Sequence, residues 1–509
     1  MKSDLSKFLI IHWDAIVAST VSCIFLYYYT RHSGIGVSPD SVMYLSTANN
    51  IRDHLSFTDF NNTPLVDFPI GYPSFLAIAS FITGIEVIHL LPVINGLLFC
   101  GVLIMLSVII LGYQKTSLLY KTCFLSIIAC SPCLLEVYTM LWSETFFLFL
   151  LLLFIIAIRR YQMFPSGINV IIAAMIACIA FVTRYAGISI VASGLFLLLF
   201  DGDLTIIKKI KHIFLFGIIS CSLVTVNLIR NIYAAGHLAG IREKAIRSLS
   251  ENLQQIGTTI AEWLPFCNGH EKGVTILFVL ILLLGICFLL YRCLQQQYFH
   301  TYETIIYCFF VVYSTFIITI ATFSRFENLS SRLLSPLYIP MLLLVSHWVV
   351  VGMKRFVRIK RITLLVLLLV LYLGFHYHHY RLNAEAWEGI KDAGIPGYTE
   401  DSWAKSPTVA YIKANKDHFT SPVFANANDG VYFLTGIHAS PLPHKEIKQE
   451  VDAFLQQKSF YLIWFADGEN QDLVSLDFIR QQKKLTLVQE LDGNKIYFFT
   501  DTTNRNLVR

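Results

Sequence analysis

Four aspartates, Asp40, Asp53, Asp59 and Asp67, fall in the segment that leads up to Glu86, among Phe57, Phe60, Phe68, Tyr72 and Phe75. A carboxylate held against apolar and aromatic side chains can take a proton from a hydroxyl or hold a metal ion. Asp40 follows Ser38-Pro39, with Tyr44 one helical turn later, and Asp67 opens the run Asp67-Phe68-Pro69-Ile70-Gly71-Tyr72-Pro73. The plain alternative is a solvated loop in which Ser38-Pro39-Asp40 only starts a helix over 41–53. The length and aromatic content of the segment weigh against that alternative, because they imply packing against something larger.

A second set of candidates is cationic. Arg184, Arg230, Arg325 and Arg332 stand at the ends of apolar runs. One such arginine alone reads as snorkelling toward lipid headgroups. Four on one side point elsewhere: a guanidinium grips phosphate oxygens through a planar fork, so the set fits an anionic head group such as a lipid phosphate. Glu144, in Trp142-Ser143-Glu144, begins another apolar run, placed to cap that helix or to pair with an arginine.

The elements that must position these residues are membrane helices. Of 509 residues, 55% are hydrophobic and 14% charged, with a mean hydropathy of +0.60; a soluble domain carries roughly 25% charged residues. The net charge of +5 is too small for this length to indicate nucleic acid. Most of the eleven cysteines lie inside apolar runs, where Cys behaves as a small hydrophobe. Cys130 and Cys133 have redox or metal spacing but no second pair, and read as packing. Lys2 and Lys7 precede an apolar stretch over 15–29 with no small-residue cleavage site after it, which reads as a first permanent span.

A helix needs about 20 apolar residues to cross about 30 Å of hydrocarbon. Runs of that kind lie near 14–30, 86–112, 117–135, 144–160, 168–184, 187–200, 212–232, 273–291, 303–323, 333–351 and 362–378. With the chain cut at Arg184–Tyr185 and its N-terminus cytoplasmic, Lys115/Lys121, Arg159/Arg160, Lys208/Lys209/Lys211, Arg292 and Lys354/Arg355/Arg358/Lys360/Arg361 all fall on the inside, as the positive-inside rule expects. Merging the two runs at Arg184 inverts every later loop. The expectation is an all-α polytopic domain over 1–378 with about 11 spans, long outer loops at 31–85 and 235–272, and an extracytoplasmic domain over 379–509.

In the second long loop, Ile246, Leu249, Leu253, Ile256, Ile260 and Trp263 recur at steps of three and four, with Arg242, Lys244, Arg247 and Glu251 toward the start. That is one apolar helical stripe, expected to lie in the plane of the membrane surface. After Tyr377 the pattern turns soluble. Ser406-Pro407 opens a helix through Ala414, 460–466 reads as a buried strand, and 485–491 and 495–500 flank a hairpin at Asp492-Gly493-Asn494. A small α/β domain follows, with no nucleophile, metal cluster or phosphate loop of its own in the sequence.

Taken in order, Ser38-Pro39-Asp40 with Tyr44, the run from Asp67 to Pro73, Ser143-Glu144, Thr183-Arg184-Tyr185-Ala186-Gly187, Arg230-Asn231, Arg325, and Arg332-Leu333-Leu334-Ser335-Pro336 resemble the motifs of GT-C-type glycosyltransferases. These enzymes use polyprenyl-phosphate-linked sugars. More narrowly the chain is similar to the glycosyltransferase family 39-like group of protein mannosyltransferases and aminoarabinose transferases, over roughly residues 8–375. The resemblance implies that Asp40 is the base acting on an acceptor hydroxyl. It implies that Asp67, with Glu144 as a further acid, stands near a divalent metal (Mg or Mn), and that Arg184, Arg230, Arg325 and Arg332 hold the carrier phosphate. Tyr44, Tyr72 and Tyr185 would line the donor and acceptor loop. The implied partners are a lipid-linked sugar donor, a glycan, lipid or protein acceptor, and membrane lipids, in a bacterial inner membrane. The chain departs from the family where an acidic pair is common, since Asp40 is followed by Ser41.

Two other classes compete with this reading. A transporter or lipid flippase would carry ionisable residues near the middle of its spans, whereas here charge collects at one face. A non-catalytic assembly protein would tolerate the loss of Asp40.

Overall fold

The computed structural model describes residues 2–113, 117–240, 244–325, 327–353, 358–466 and 470–501. Lys115, Arg242, Lys354 and Arg355 therefore lie outside the described residues.

Helices fill the first four-fifths of the chain. Among the described residues, five are long and apolar enough to cross a membrane: Val87–Gly112, Glu144–Met163, Ile206–Ala235, Glu271–Leu294 and Tyr302–Phe323. Leu118–Ala129 and Pro132–Tyr138, bent by 53° at a short break, make a sixth if taken as one span. Ser131-Pro132 accounts for the bend: Ser131 caps the second piece and the proline opens it. The expected count of about eleven is thus not reproduced by length and composition. Several runs are short helices, Gly167–Thr183 and Ile188–Leu199 among them. The run at Arg184 is indeed cut, by a 3₁₀ turn over Tyr185–Gly187. Helices Ile206–Ala235 and Glu271–Leu294 leave Phe214, Ile218, Val226, Leu277 and Leu284 exposed. Apolar faces of this extent belong against lipid tails, and the protein is an integral membrane protein.

Two further differences have physical reasons. The amphipathic stripe forms helix Leu249–Trp263, opened by a reciprocal Ser248/Glu251 capping box. The later part of its apolar side is covered by protein, while Leu249 at its start stays exposed: Ile256, Ile260 and Trp263 are buried, and the Trp263 indole donates to Ser331 Oγ at 2.9 Å and meets Tyr338 edge-on. An apolar stripe reads the same whether lipid or protein covers it. Helix Arg358–Ala393 also continues through the boundary expected at 378.

Beyond it lies a five-stranded sheet of order β2-β1-β3-β5-β4. Its strands are β1 Val423–Ala425, β2 Ala439–Pro441, β3 Ser459–Trp464, β4 Thr486–Leu491 and β5 Asn494–Thr500. The first three are parallel, while β3–β5 and β5–β4 are antiparallel. The last pair turns at Asp492-Gly493, both at positive φ, the conformation that two-residue hairpins require. Val409, Ile412 and Val431 pack on one face, Phe454 and Ile479 on the other, giving a three-layer α/β domain.

This domain does not hang free. A separate core joins it to the first long loop: Val37, Val42, Tyr44, Phe60, Tyr72 and Leu76 are buried together with Leu141 and Tyr398. Each large apolar side chain removed from water there contributes about 1.5–3 kcal/mol. Tyr398 N donates to Val37 O at 2.8 Å, Asn61 Nδ2 to Ala439 O at 2.9 Å, and Phe60 stacks on Tyr432. The segment that carries Asp40 is clamped from both sides.

Candidate active site

Asp40 sits in the first turn of helix Pro39–His54. The backbone before it is zipped to the segment after helix Pro132–Tyr138: Gly36 N donates to Thr139 O and Leu141 N to Gly36 O, both at 2.9 Å. Ser41 Oγ donates to Leu141 O at 2.8 Å. Ser38 makes no side-chain cap to its own helix; its hydroxyl accepts from the Trp142 indole at 2.9 Å and lies 3.0 Å from Ser41 Oγ. The capping role is thus not what occupies Ser38. Among the described residues the Asp40 carboxylate has one hydrogen-bond partner, Arg332.

Arg332 is the centre of the site. Its Nη2 donates to Asp40 Oδ2 at 2.5 Å and its Nε to Glu144 Oε1 at 2.8 Å, while Nη1 lies 3.8 Å from Glu327 Oε2. Its guanidinium lies 4.6 Å from the centre of the Trp142 ring, a favourable cation–π placement. Glu144 is fully buried at the start of helix Glu144–Met163, where the helix dipole favours a negative charge. Its other oxygen, Oε2, accepts from Arg184 Nη1 at 2.7 Å, and the same nitrogen donates to Ser143 Oγ. Both Glu144 oxygens are therefore occupied by guanidinium groups. The structure brings Asp40, Glu144, Arg184 and Arg332 into one network.

The remaining arginines are elsewhere. Arg230 donates to the carbonyls of Phe57 and Leu65, at 2.6 and 2.9 Å, and to Asn231 Oδ1. It pins the first long loop to helix Ile206–Ala235. Arg325 pairs with Asp472 of the C-terminal domain. Asp67 is exposed, with Oδ1 against Gly240. Since Asp67 lies against Gly240 and both oxygens of Glu144 are taken by arginines, these two acids do not come together as a donor set for Mg or Mn. Asp59 is a turn device, accepting from the amides of Asn61 and Thr63, and Asp53 pairs with its neighbour Arg52.

The tyrosines form walls. Tyr44 and Tyr72 are buried and meet edge-on with ring centres 5.2 Å apart. Tyr44 OH lies 3.4 Å from Ser143 Oγ, and burial, with the charge of Asp40 added, pushes its pKa up, so it stays protonated. Tyr185 OH donates to Val66 O at 3.2 Å. The run from Asp67 to Pro73 is seated by Gly71, where a Cβ would come within 2.4 Å of Val182 O; only glycine lets that loop lie against the turn bearing Arg184.

Three carboxylates missing from the sequence reading complete the surroundings. Glu327, two residues after Arg325, could have been found by its place between two flagged arginines. Its side chain is 64% accessible, yet protein crowds it at longer range, and this desolvation, followed by the charge of Asp40, pushes its carboxyl pKa up. Asp429 comes from the soluble domain and accepts from Tyr398 OH at 3.0 Å; burial, with a smaller contribution from the charge of Asp40, pushes its carboxyl pKa up. Glu136 is in electrostatic range of Arg332 and Glu262. No local signal marks Asp429, because only the fold brings it within reach of Asp40.

Sequence comparison matches the chain to no family model and to no curated relative. Solved structures do match. ArnT from Cupriavidus metallidurans in the apo state superposes with a TM-score of 0.55 at 10% identity, covering 97% of this chain and 98% of that one. The Archaeoglobus fulgidus oligosaccharyltransferase in complex with Zn and sulfate gives 0.52 at 12% identity, covering 89% and 67%. AglB from the same organism, with an inhibitory peptide and a dolichol-phosphate, gives 0.53 at 11% identity, covering 98% and 75%. At such identities the likeness is one of architecture, and it extends through the soluble domain: the chain has the GT-C fold of these membrane proteins.

Proposed function

We propose that the protein is a membrane glycosyltransferase that moves a sugar from a polyprenyl-phosphate carrier to a hydroxyl acceptor at the extracytoplasmic face, with the N-terminus cytoplasmic. The observation that carries this reading is the shared grip of Arg332 on Asp40 and Glu144, at a surface formed jointly by the first loop and the soluble domain. The full-length likeness to ArnT supports it, as does the dolichol-phosphate bound in AglB.

The chemistry follows from the contacts. Arg332 keeps Glu144 through Nε, so its Nη groups are free to exchange partners without loss of position. An arriving carrier phosphate takes the place of Asp40 on Nη2, and the released carboxylate is free to accept a proton. The acceptor oxygen then attacks the anomeric carbon, and its proton passes to Asp40. The bond from that carbon to the phosphate oxygen breaks, and the electron pair leaves with polyprenyl phosphate. Arg332 and Arg184 offset the charge gathering on the leaving phosphate. The surplus of carboxylates favours the cationic character that a sugar ring acquires in the transition state. The ring wall of Trp142, Tyr44 and Tyr72 fixes the position of these charges.

Membranes containing the protein are to be incubated in parallel with a polyprenyl-phosphate-linked sugar and a nucleotide sugar, with products read by mass shift. Consumption of the lipid-linked donor, absent from control membranes, is the expected result. Consumption of the nucleotide sugar alone would refute the proposal.

A further inference from the structure

At the end of the bundle remote from Asp40, two turns meet. One joins helices Ile188–Leu199 and Ile206–Ala235; the other precedes helix Tyr302–Phe323. That last helix has 22 residues and so separates its two ends by about 33 Å, with His300 just before one end and Arg325 and Glu327 just after the other.

Asp201, in the first turn, is 1% exposed. Its Oδ1 accepts from Asp203 N at 3.0 Å and lies 3.1 Å from His300 Nε2. Asp203 Oδ2 lies 3.3 Å from Nδ1 of the same imidazole. The donor atoms of the three residues fall within 4.8 Å of one another. Two of the atoms gathered here are buried without a hydrogen-bond partner: Asp201 Oδ2 and His300 Nε2. The imidazole nitrogen is near its carboxylate but out of line for a hydrogen bond. A buried carboxylate oxygen left unpaired is destabilising, and a cation held between it and Nε2 would satisfy both.

The frame around these atoms is held independently. Gln296 Oε1 accepts from Gly202 N at 2.8 Å, and its Nε2 donates to Phe200 O at 3.1 Å. A Cβ at Gly202 would come within 2.7 Å of Gln296, so the close latch requires glycine between the two aspartates. The donors are thus brought together before any ion arrives.

We propose that Asp201 and His300 Nε2 bind a divalent transition-metal ion, with Asp203 orienting the imidazole through Nδ1. A carboxylate on the far nitrogen fixes the tautomer that leaves Nε2 free to ligate. Mixed oxygen and nitrogen donors select zinc, manganese or cobalt over magnesium and calcium, which prefer oxygen alone. Water fills the remaining positions on the side of Asp203, whose side chain is 68% exposed. The ion staples two turns that are far apart in sequence, at the face opposite the proposed transfer site.

The test uses the full-length protein in detergent, stripped with a chelator and titrated with Zn2+ by calorimetry and with Co2+ by visible absorption. One ion per chain is expected, lost in Asp201→Asn and in His300→Gln and kept in Asp40→Asn and Asp67→Asn. Asp203→Asn should weaken binding roughly 10- to 100-fold, as loss of an orienting partner does. Failure of the wild type to bind either ion would overturn the proposal. So would folded Asp201→Asn and His300→Gln proteins that bind as the wild type does. Should those two not fold, an unchanged affinity in the exposed Asp203→Asn variant would overturn it as well.

Discussion

Helix Trp13–Thr30 has a group of charges near each end, and the two groups follow different plans. At its start, Lys121 Nζ lies 3.0 Å from Asp14 Oδ1, with the two side chains 1% and 0% exposed. Lys121 also donates to Ile11 O, and the Asp14 oxygens accept from Ala15 N and Thr122 Oγ1. One positive charge meets one negative charge, and the neighbouring donors and acceptors are used. Past the other end, Arg332 and Arg184 face Asp40, Glu144 and Glu327, with Asp429 and Glu136 in range. There acids outnumber bases, and Asp40 remains 18% exposed. A closed, balanced pair is what holding helices together requires. An open, unbalanced group has a capacity that nothing among the described residues uses, which is how a ligand site differs from a structural pin.

The comparison breaks or sharpens at several points. The largest effect on stability belongs to the closed pair. Lys121→Met leaves Asp14 buried without its partner, and loss of one member of a buried pair costs about 3–5 kcal/mol. Thermal unfolding in detergent should show that loss, the double variant Asp14→Leu/Lys121→Met should recover most of it, and transfer per folded molecule should stay unchanged. A folded Lys121→Met protein with impaired turnover would erase the distinction.

Next in size, Arg332→Ala and Arg184→Ala should lower kcat/KM roughly ten- to a hundredfold, the range for one charge-assisted hydrogen bond of about 1.5–3 kcal/mol. Arg230→Ala and Arg325→Ala should instead lower the melting temperature and leave kcat near that of the wild type, because their partners are backbone carbonyls and the soluble domain. Four variants with equal kinetic losses would contradict the division of the arginines into two at the site and two in the frame.

The smallest effect concerns Glu327. Its pKa is raised in the fold, so the folded state prefers its neutral form. The associated stability is present below the ordinary glutamate value of about 4.3 and is lost as pH rises through the raised one. Glu327→Gln should therefore melt slightly higher than the wild type near neutral pH, with the gap closing on acidification. A gap that widens toward acid would show that attraction to Arg332 outweighs desolvation.

Much of the scaffold was legible because its causes are local. Ser-Pro pairs opened helices Pro39–His54 and Pro407–Ala414, Arg184 marked the break in a long apolar run, and Asp492-Gly493 marked a hairpin. The site was legible only as a set of residue types. Nothing in the chain near Arg332 says that Glu144 will receive it across 188 positions, or that Arg325 will leave the group for Asp472. The same limit applies to the stripe at 249–263, where period reports an apolar face but not what covers it. Asp201-Gly202-Asp203 carries no signal by itself in the chain, because the imidazole that joins the two aspartates, His300, lies in a distant turn.

The central claim is that Asp40 is the group on which transfer depends. The direct measurement is the turnover of a polyprenyl-phosphate-linked sugar by purified wild-type and Asp40→Asn proteins of equal melting temperature, with Asp53→Asn as the control. Asparagine keeps the shape and the ability to start a helix but not the basicity. The account predicts a fall of roughly 10²–10⁴-fold, the range for a positioned general base, and no change in the control. A folded Asp40→Asn protein that transfers sugar at the wild-type rate would contradict it.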